Sequence, residues 1–286
     1  MNLFDDIRGK IASLPRSQRK VAQYIVDNWE RVAYESSTVI ARQLDLSQAT
    51  IIRTACALGF AGFPELQGHL RDVIQQRVSS VGRLDRVTKR YGKGPEQGKL
   101  NTKDRVFRQL AGNLRTLYTG TSEEELCRAV DSIMQAERVF VLGMRSSGAI
   151  AAYLGFNLSM VRPNVIVQDS DYNLLEKMKS LSAADLLIAI VFPRYTRLAI
   201  EAARKAYQLG ARVIGVTDSA ASPIGALCHQ SFYIPSTSTH YNHSAIAAVA
   251  LVDAVLSYLS VRYADRVRKE LEFIEEDFKN FHIFEK

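Results

Sequence analysis

The sequence predicts a two-domain protein in which an all-α helix-turn-helix domain precedes a three-layer α/β domain built on a parallel sheet. The length of 286 residues suits two domains of about 100–200 residues each. Apolar residues recur at helical spacing near the N-terminus, whereas short apolar runs alternate with helical stretches further along the chain. We therefore expect the first domain over 1–78, a linker over 79–105 and the second domain over 106–286.

The first domain is predicted from apolar residues that lie four positions apart and so share one helix face. These residues are Leu3, Ile7 and Ile11 in one helix and Val21, Ile25 and Trp29 in the next. A further helix is expected over 64–78, after the helix-turn-helix segment described below.

The α/β domain is predicted from the change in pattern that follows the linker. Residues 79–104 hold four glycines and one proline among many charges, which favours a linker with a helical start. Beyond it, helical stretches alternate with apolar runs, and this alternation predicts a parallel sheet covered on both faces. The runs are 138–143, 164–169, 185–192, 212–218 and 230–235, and the helical stretches are 147–160, 173–179 and 196–209.

Cysteine usage and the apolar segments exclude several classes of protein. Cys56, Cys127 and Cys228 lie far apart without a C-x-x-C pair, which argues against a disulfide scaffold and a cysteine zinc site. The N-terminal residues lack the apolar core of a signal peptide. The longest apolar stretch, 245–261, includes Asp253 and predicts a buried helix rather than a membrane span. We expect a cytoplasmic protein with no membrane partner.

Positive charge is concentrated in the first third of the chain. Residues 1–100 hold 16 Lys and Arg against 10 Asp and Glu, whereas the remainder holds 21 against 20. Such asymmetry indicates a module that binds a polyanion. The alternative is a solvated basic surface without a partner.

A helix-turn-helix is predicted over residues 36–60. Val39, Ile40 and Leu44 give its first helix an apolar face. Asp45 stands at the turn, where a left-handed backbone is needed and Asp tolerates it better than most residues. Ser47 is a good N-cap for the second helix.

The second helix of this motif is predicted to read DNA. Ile51, Ala55 and Leu58 should face the core, which leaves polar side chains outward that suit base edges and phosphates. The predicted DNA-binding residues are Ser47, Gln48, Thr50, Arg53 and Thr54. The alternative is an ordinary helical hairpin in a small bundle.

Two stretches of this region, LPRSQRKVAQYIVDNWE and LDLSQATIIRTACALGFAGFPELQ, resemble a known family. Residues 1–77 are similar to the N-terminal domain of RpiR-type (MurR/RpiR) transcription regulators, and 106–286 resemble the family's sugar isomerase (SIS) domain. The resemblance implies a regulator that binds double-stranded DNA and a carbohydrate derivative. A homodimer or homotetramer would place two recognition helices on the half-sites of a palindromic operator.

The segment VLGMRSSGAIAAYL (141–154) predicts a strand, a polar loop and a helix whose N-terminus can hold an anion. Ser146 and Ser147 add hydroxyl groups, although a simple N-cap is the alternative. The pattern is not G-x-G-x-x-G, so a dinucleotide is not expected. The usual SIS pattern resembles G-x-G-x-S. Gly143 and Ser147 match it, Arg145 replaces the second glycine, and the resemblance implies that Ser147 contacts a ligand phosphate.

The usual SIS pattern after a later strand, S-x-S-G-x-T, aligns with residues 191–196, where only Thr196 is retained. Arg194 and Tyr195 stand instead at the carboxyl end of a parallel strand, where such folds bind ligands. Together with Arg145, Arg194 favours a phosphate or a carboxylate. We expect an anionic effector that need not be a sugar phosphate. The alternatives are a decayed site or an internal ion pair of Arg194.

His240 and His243 precede the apolar helix over 245–261. A metal site is not expected, because no acidic residue or third ligand is near in sequence. Ser244 or His243 is expected to cap the helix. In SIS domains this segment often closes over the ligand, so the resemblance implies a contact from His240, Tyr241 or His243.

Two other functions stay open at this stage. A phosphosugar isomerase needs a general base, for which only His240 or His243 is a candidate, and the helix-turn-helix argues against it. An architectural DNA-binding protein would need no effector. We expect a regulator that is not an enzyme and has no cofactor.

Overall fold

The computed structural model describes residues 3–91, 102–170 and 172–283. The chain divides into two compact units, Met1–Arg83 and Leu84–Lys286. Each unit has its own apolar core, as the sequence predicts.

The first unit is a bundle of short helices. Its helices are α1 (Leu3–Ile11), α2 (Arg16–Asp27), α3 (Trp29–Val32), α4 (Ser37–Leu44), α5 (Gln48–Ala57) and α6 (Phe63–Val78). The predicted helical faces meet in one core, in which Ile7, Ile25, Ile40 and Ile51 are almost completely buried. The apolar spacing of the sequence therefore fixed which side of each helix lies inward.

The helical start predicted for the linker is confirmed, because the chain forms α7 (Ser80–Tyr91) there. The Ser79 hydroxyl accepts a hydrogen bond from the Gly82 amide at 2.9 Å, and the Ser79 carbonyl accepts one from the Arg83 amide. Within α7 there is one glycine and no proline, so little opposes helix formation. The other glycines and Pro95 fall within 92–101, which lies outside the described residues.

The second unit carries five parallel strands with helices between them. The strands are β1 (Val139–Gly143), β2 (Val165–Gln168), β3 (Leu186–Ile190), β4 (Arg212–Thr217) and β5 (Gln230–Tyr233). The helices are α8 (Thr102–Gly120), α9 (Glu123–Gln135), α10 (Ser146–Ser159), α11 (Leu174–Met178), α12 (Arg197–Gln208), α13 (Ile246–Arg262) and α14 (Ala264–Asn280). All five predicted strands are confirmed to within two residues at each end.

The sheet has the order β2-β1-β3-β4-β5, and every neighbouring pair is parallel. Alternate residues of β1 enter opposite cores: Val141 lies with α9, α10 and α13, whereas Leu142 lies with α11 and α12. The helices therefore cover both faces of the sheet, which confirms the predicted three layers. Gly143 at the end of β1 lies opposite Ile190 at the end of β3, so these two carboxyl ends share one edge.

In the described part of the chain, no single helix is long and apolar enough to cross a membrane. Only α13 and α14 taken together reach the required length and composition, across a bend of 102°. The inner face of α13 is buried in the unit's core, as the sequence predicts for the apolar stretch 245–261.

Gly143→Ala tests the close packing of α10 on the end of β1. A β-carbon at Gly143 would collide with the backbone carbonyl of Ser147, which the helix holds in place. We expect a loss of about 1–3 kcal/mol in the free energy of unfolding, measured by urea denaturation. Gly112→Ala is the matched control, because a β-carbon there meets nothing within 4 Å in the middle of α8. It should gain up to about 1 kcal/mol, and equal losses in both variants would contradict the packing argument.

Candidate functional site

The turn between α4 and α5 has the predicted left-handed backbone. Asp45 has φ 54° and ψ 52°, and the Leu46 amide donates to the Ala41 carbonyl at 2.9 Å. The Ser47 hydroxyl accepts a hydrogen bond from the Thr50 amide, which confirms Ser47 as the N-cap of α5. These contacts fix α5 as the second helix of a helix-turn-helix.

The structure leaves Ser47, Gln48 and Arg53 exposed, as predicted. The side-chain amide of Gln48 donates to the Ser37 hydroxyl at 2.9 Å, which links the N-termini of the two helices. These three side chains present donors and acceptors on one surface of α5. They could contact phosphates or base edges.

Thr50 and Thr54 do not face outward, so their predicted orientation is wrong. Thr54 is completely buried, and its hydroxyl donates to the Thr50 carbonyl at 2.7 Å. Thr50 is also buried, and its hydroxyl lies 2.9 Å from that of Ser47. Thr50 and Thr54 each lie next to a core residue, Ile51 and Ala55 respectively, on the buried side of the helix. Their position on the helix therefore decides their burial, not their polarity.

The outward positions that sequence reasoning missed are Ala49 and Ile52. Both are exposed on α5, and Ile52 keeps 40% of its surface accessible. The sequence predicts an outward orientation only for polar side chains and leaves these two apolar residues unassigned. The spacing of positions 49, 52, 53 and 56 would have shown this face, because these positions lie opposite the buried seam.

The second candidate site lies where the strand order reverses. β1 and β3 are neighbours although β2 lies between them in the chain, so their following loops diverge to opposite sides of a crevice. The first loop and the start of α10 carry Gly143, Arg145, Ser146 and Ser147. The second loop carries Arg194, Tyr195 and Thr196. Fold topology thus brings both predicted effector-binding loops to one edge.

Exposure differs among these side chains. Arg145, Ser146 and Arg194 are exposed, whereas Ser147 is buried in the first turn of α10. Thr196 precedes α12 as its N-cap residue without a side-chain hydrogen bond to the helix. The guanidinium groups are therefore the most accessible charges of the two loops.

Both arginines have backbone conformations that favour glycine. Arg145 has φ 56° and Arg194 has φ 75°. Such conformations cost a non-glycine residue about 1–3 kcal/mol and occur preferentially at functional sites. A glycine would adopt either conformation without this cost.

Tyr195 is held by the neighbouring strand. Its hydroxyl donates to Asp218, which follows β4, at 2.8 Å, and the Thr217 hydroxyl lies 3.2 Å from the same carboxylate oxygen. Burial raises the pKa of the Asp218 carboxyl above its ordinary value, and the hydrogen bond from Tyr195 opposes this increase. A carboxyl group with a raised pKa therefore lies beside the arginine-bearing loop.

The segment before α13 brings one of the two histidines to this edge. His243 is buried and stacks on Phe192, with ring centroids 5.0 Å apart, whereas His240 is exposed. Asn113 of α8 donates to the Thr237 carbonyl at 2.8 Å and anchors the segment. Among the described residues, no group of three His, Cys, Asp or Glu side chains could hold a metal ion.

The predicted cap of the following helix is wrong. The helix α13 begins at Ile246, and its N-cap residue is Ala245 without a side-chain hydrogen bond. Ser244 and His243 are both buried instead, since the chain turns into the core before the helix starts.

Comparison with known families matches both units. The profile of the helix-turn-helix domain of the rpiR family matches residues 1–77, and the SIS domain profile matches 132–264. The HTH-type transcriptional regulator HexR of Escherichia coli (strain K12) is 25% identical, covering 98% of this chain and 95% of the relative. HexR of Pseudomonas aeruginosa is 26% identical, covering 96% and 95%.

Solved structures share the fold. The sugar isomerase domain of an RpiR transcription factor from Sphaerobacter thermophilus has a TM-score of 0.59 at 25% identity, covering 62% of this chain and 99% of that one. The Vibrio vulnificus NanR protein, complexed with ManNAc-6P, has a TM-score of 0.67 at 21% identity, covering 98% and 99%.

Asp218→Asn tests the environment of the carboxyl group beside Tyr195. Because the pKa of Asp218 is raised in the folded state, the protonated carboxyl stabilises the fold relative to the ionised one. This stabilisation is fully present below the ordinary pKa of 3.8 and is lost as pH rises through the folded-state pKa. The amide cannot ionise but still accepts the Tyr195 hydroxyl. We expect the variant to be more stable than wild type at about pH 7 and to lose this advantage below about pH 4. Urea denaturation across pH checks this, and parallel pH profiles would contradict it.

Proposed function

From the premise that this chain is a transcription regulator of the RpiR type, with a helix-turn-helix domain followed by a SIS domain, we propose that the first unit binds the major groove and that the second binds a sugar phosphate that modulates this binding. The proposal extends the regulator's general role to a DNA-reading face, an effector site and an assembly. Because a bacterial regulator of this type must reach DNA, we also propose that the protein is cytoplasmic.

The exposed face of α5 supports the DNA part of the proposal. Ser47, Gln48 and Arg53 lie on it, and Thr50 and Thr54 are withdrawn from the interface because they are buried. Arg53 offers a guanidinium to a phosphate or to guanine in the groove. The excess of positive charge over residues 1–100 adds a general attraction for the DNA backbone.

The effector part rests on one observation, which is that Arg145 and Arg194 occupy strained backbone positions where glycine would be favoured. Each arginine lowers the stability of the loop that carries it, and such a cost is typical of residues with a function. Both guanidinium groups are exposed beside the crevice at the switch point, where they can bind a phosphate through paired hydrogen bonds. Their charges replace the hydroxyl groups that the usual SIS loop provides.

A sugar phosphate suits the remaining groups of the crevice. Asp218 could accept hydrogen bonds from sugar hydroxyls, and the segment carrying His240 and buried His243 borders the same edge. NanR, which shares the fold, is complexed with the phosphorylated sugar ManNAc-6P. Relatives that match nearly the whole chain are transcription regulators, so we propose an effector that is bound and not converted.

A dimer is proposed through the outer face of α10. No charged residue occurs between Ser146 and Ser159, and the exposed side carries Ala149, Ala152, Tyr153 and Phe156. The Tyr153 hydroxyl donates to Asp253 of α13 at 2.7 Å, so the neighbouring carboxylate is already bonded. A chain of net charge +7 would repel a copy across a basic face, whereas this neutral stripe can pack on itself around a two-fold axis.

Arg53→Ala tests the DNA-reading face. Removing the guanidinium should weaken binding of the full chain to a duplex obtained by selection from random sequences about tenfold to a hundredfold. Thr54→Val is the matched control, because it changes a buried hydroxyl one position away and should leave affinity within about twofold. Fluorescence anisotropy measures both, and equal effects of the two changes would contradict the assignment.

Arg194→Gly tests the effector site, because it removes the guanidinium and relieves the strained backbone together. Without ligand, the variant should gain about 1 kcal/mol in stability. Wild type should be stabilised by a sugar phosphate at 100 times its dissociation constant by about 2.7 kcal/mol, and the variant should not. Thermal shift of the full chain with ManNAc-6P, glucose 6-phosphate, ribose 5-phosphate, succinate and inorganic phosphate checks this. Selective stabilisation by succinate would contradict a sugar-phosphate effector and indicate a carboxylate effector instead.

Phe156→Glu tests the dimer face. The change places two carboxylates at the centre of a two-fold interface and should raise the dimer dissociation constant about a hundredfold or more. Sedimentation equilibrium measures the shift. Tyr118→Glu is the control, since Tyr118 is 82% exposed on α8, outside this face. If the dimer forms with Phe156→Glu but not with Tyr118→Glu, the interface lies on α8 and the proposed face is wrong.

A further inference from the structure

The outward face of helix α5 carries two apolar side chains that the polar DNA contacts proposed above leave unused. Ala49 and Ile52 are exposed there, although Ile52 is a large β-branched side chain with 40% of its surface accessible. Across Gln48–Ala57 only Arg53 is charged. The exposed side of α5 therefore places aliphatic surface directly beside its one charged side chain.

This aliphatic patch of Ala49 and Ile52 is framed by groups that suit a nucleic acid. Ala49 and Ile52 lie three positions apart, so their side chains are neighbours on the helix surface. Gln48 stands on the N-terminal side, and its amide is held by the Ser37 hydroxyl. Arg53 follows Ile52 directly and brings a guanidinium. A partner must therefore offer negative charge and a small apolar group within a few ångströms of each other.

Thymine in the major groove has this combination. Its 5-methyl group is the one apolar group that a standard base presents in that groove, and phosphates line both edges. A protein partner would need an acidic surface with an apolar centre, and nothing in the structure favours that choice over DNA. The net positive charge of the first third of the chain favours DNA.

We propose that Ala49 and Ile52 together contact the 5-methyl group of a thymine, and that this contact contributes sequence specificity in each half-site. The inference rests on the proposed function, since it assumes that α5 enters the major groove. It adds an apolar reading of one base to the polar contacts of Gln48 and Arg53. Thymine is then preferred over cytosine at that position because the methyl group fills the aliphatic patch.

The test replaces each thymine of a selected duplex by deoxyuridine, one position at a time. Deoxyuridine pairs as thymine does and lacks only the methyl group. Wild-type affinity should fall about three- to fivefold at one position per half-site, in line with the loss of one buried methyl group. Ile52→Ala should bind the thymine duplex more weakly and show no further loss with deoxyuridine at that position.

Val39→Ala provides the matched control. Val39 is an aliphatic residue with 41% of its surface exposed, and it lies on α4 rather than on α5. This variant should keep the full dependence on the methyl group. The deoxyuridine series with wild-type protein needs no variant, so it remains informative if Ile52→Ala does not fold.

The outcomes separate this inference from the proposed function. If no duplex is selected, DNA binding itself fails. A second outcome is that a duplex binds and Arg53→Ala weakens this binding, while no deoxyuridine substitution changes the affinity. In that case the proposed DNA binding stands and the methyl contact is wrong. A methyl dependence that persists unchanged in Ile52→Ala would also overturn the proposal.

Discussion

The crevice of the second unit depends on one constraint, which is that β1 and β3 are hydrogen-bonded neighbours although β2 separates them in the chain. This reversal of strand order sends the loops after β1 and β3 to opposite sides and opens a crevice between them. The sheet can be built in this way because both of its faces are buried under helices. Gly143 contributes by letting the first turn of α10 approach the end of β1.

The two arginines at this crevice change how the departure from the usual SIS sequence is interpreted. Judged by residue types alone, the loops after β1 and β3 have lost glycine and hydroxyl groups. In the fold, Arg145 and Arg194 have positive φ values, which cost a non-glycine residue backbone energy. Our proposal of an anion site attributes this cost to ligand binding.

In the first unit, the turn and the helix caps fix the position of α5 relative to α4. Asp45 supplies the left-handed turn, while Ser36 and Ser47 cap the two helices that it joins. The core then selects which side of α5 is displayed. The displayed side combines Gln48 and Arg53 with the aliphatic Ala49 and Ile52, so polar and apolar groups are exposed on the same helix.

The sequence alone determined many elements of both units, because apolar periodicity, serine caps and β-branched runs are local signals, but α8, α9 and α14 were not predicted. It located all five strands, the turn at Asp45 and the two arginine-bearing loops. Tertiary structure decided the rest. Whether Thr50 and Thr54 or Ala49 and Ile52 point outward depends on where the core lies around α5, and burial outweighs side-chain polarity there. The pairing of β1 with β3, the stacking of His243 on Phe192 and the bond from Tyr195 to Asp218 join residues distant in sequence, and local pattern carries no information on such contacts.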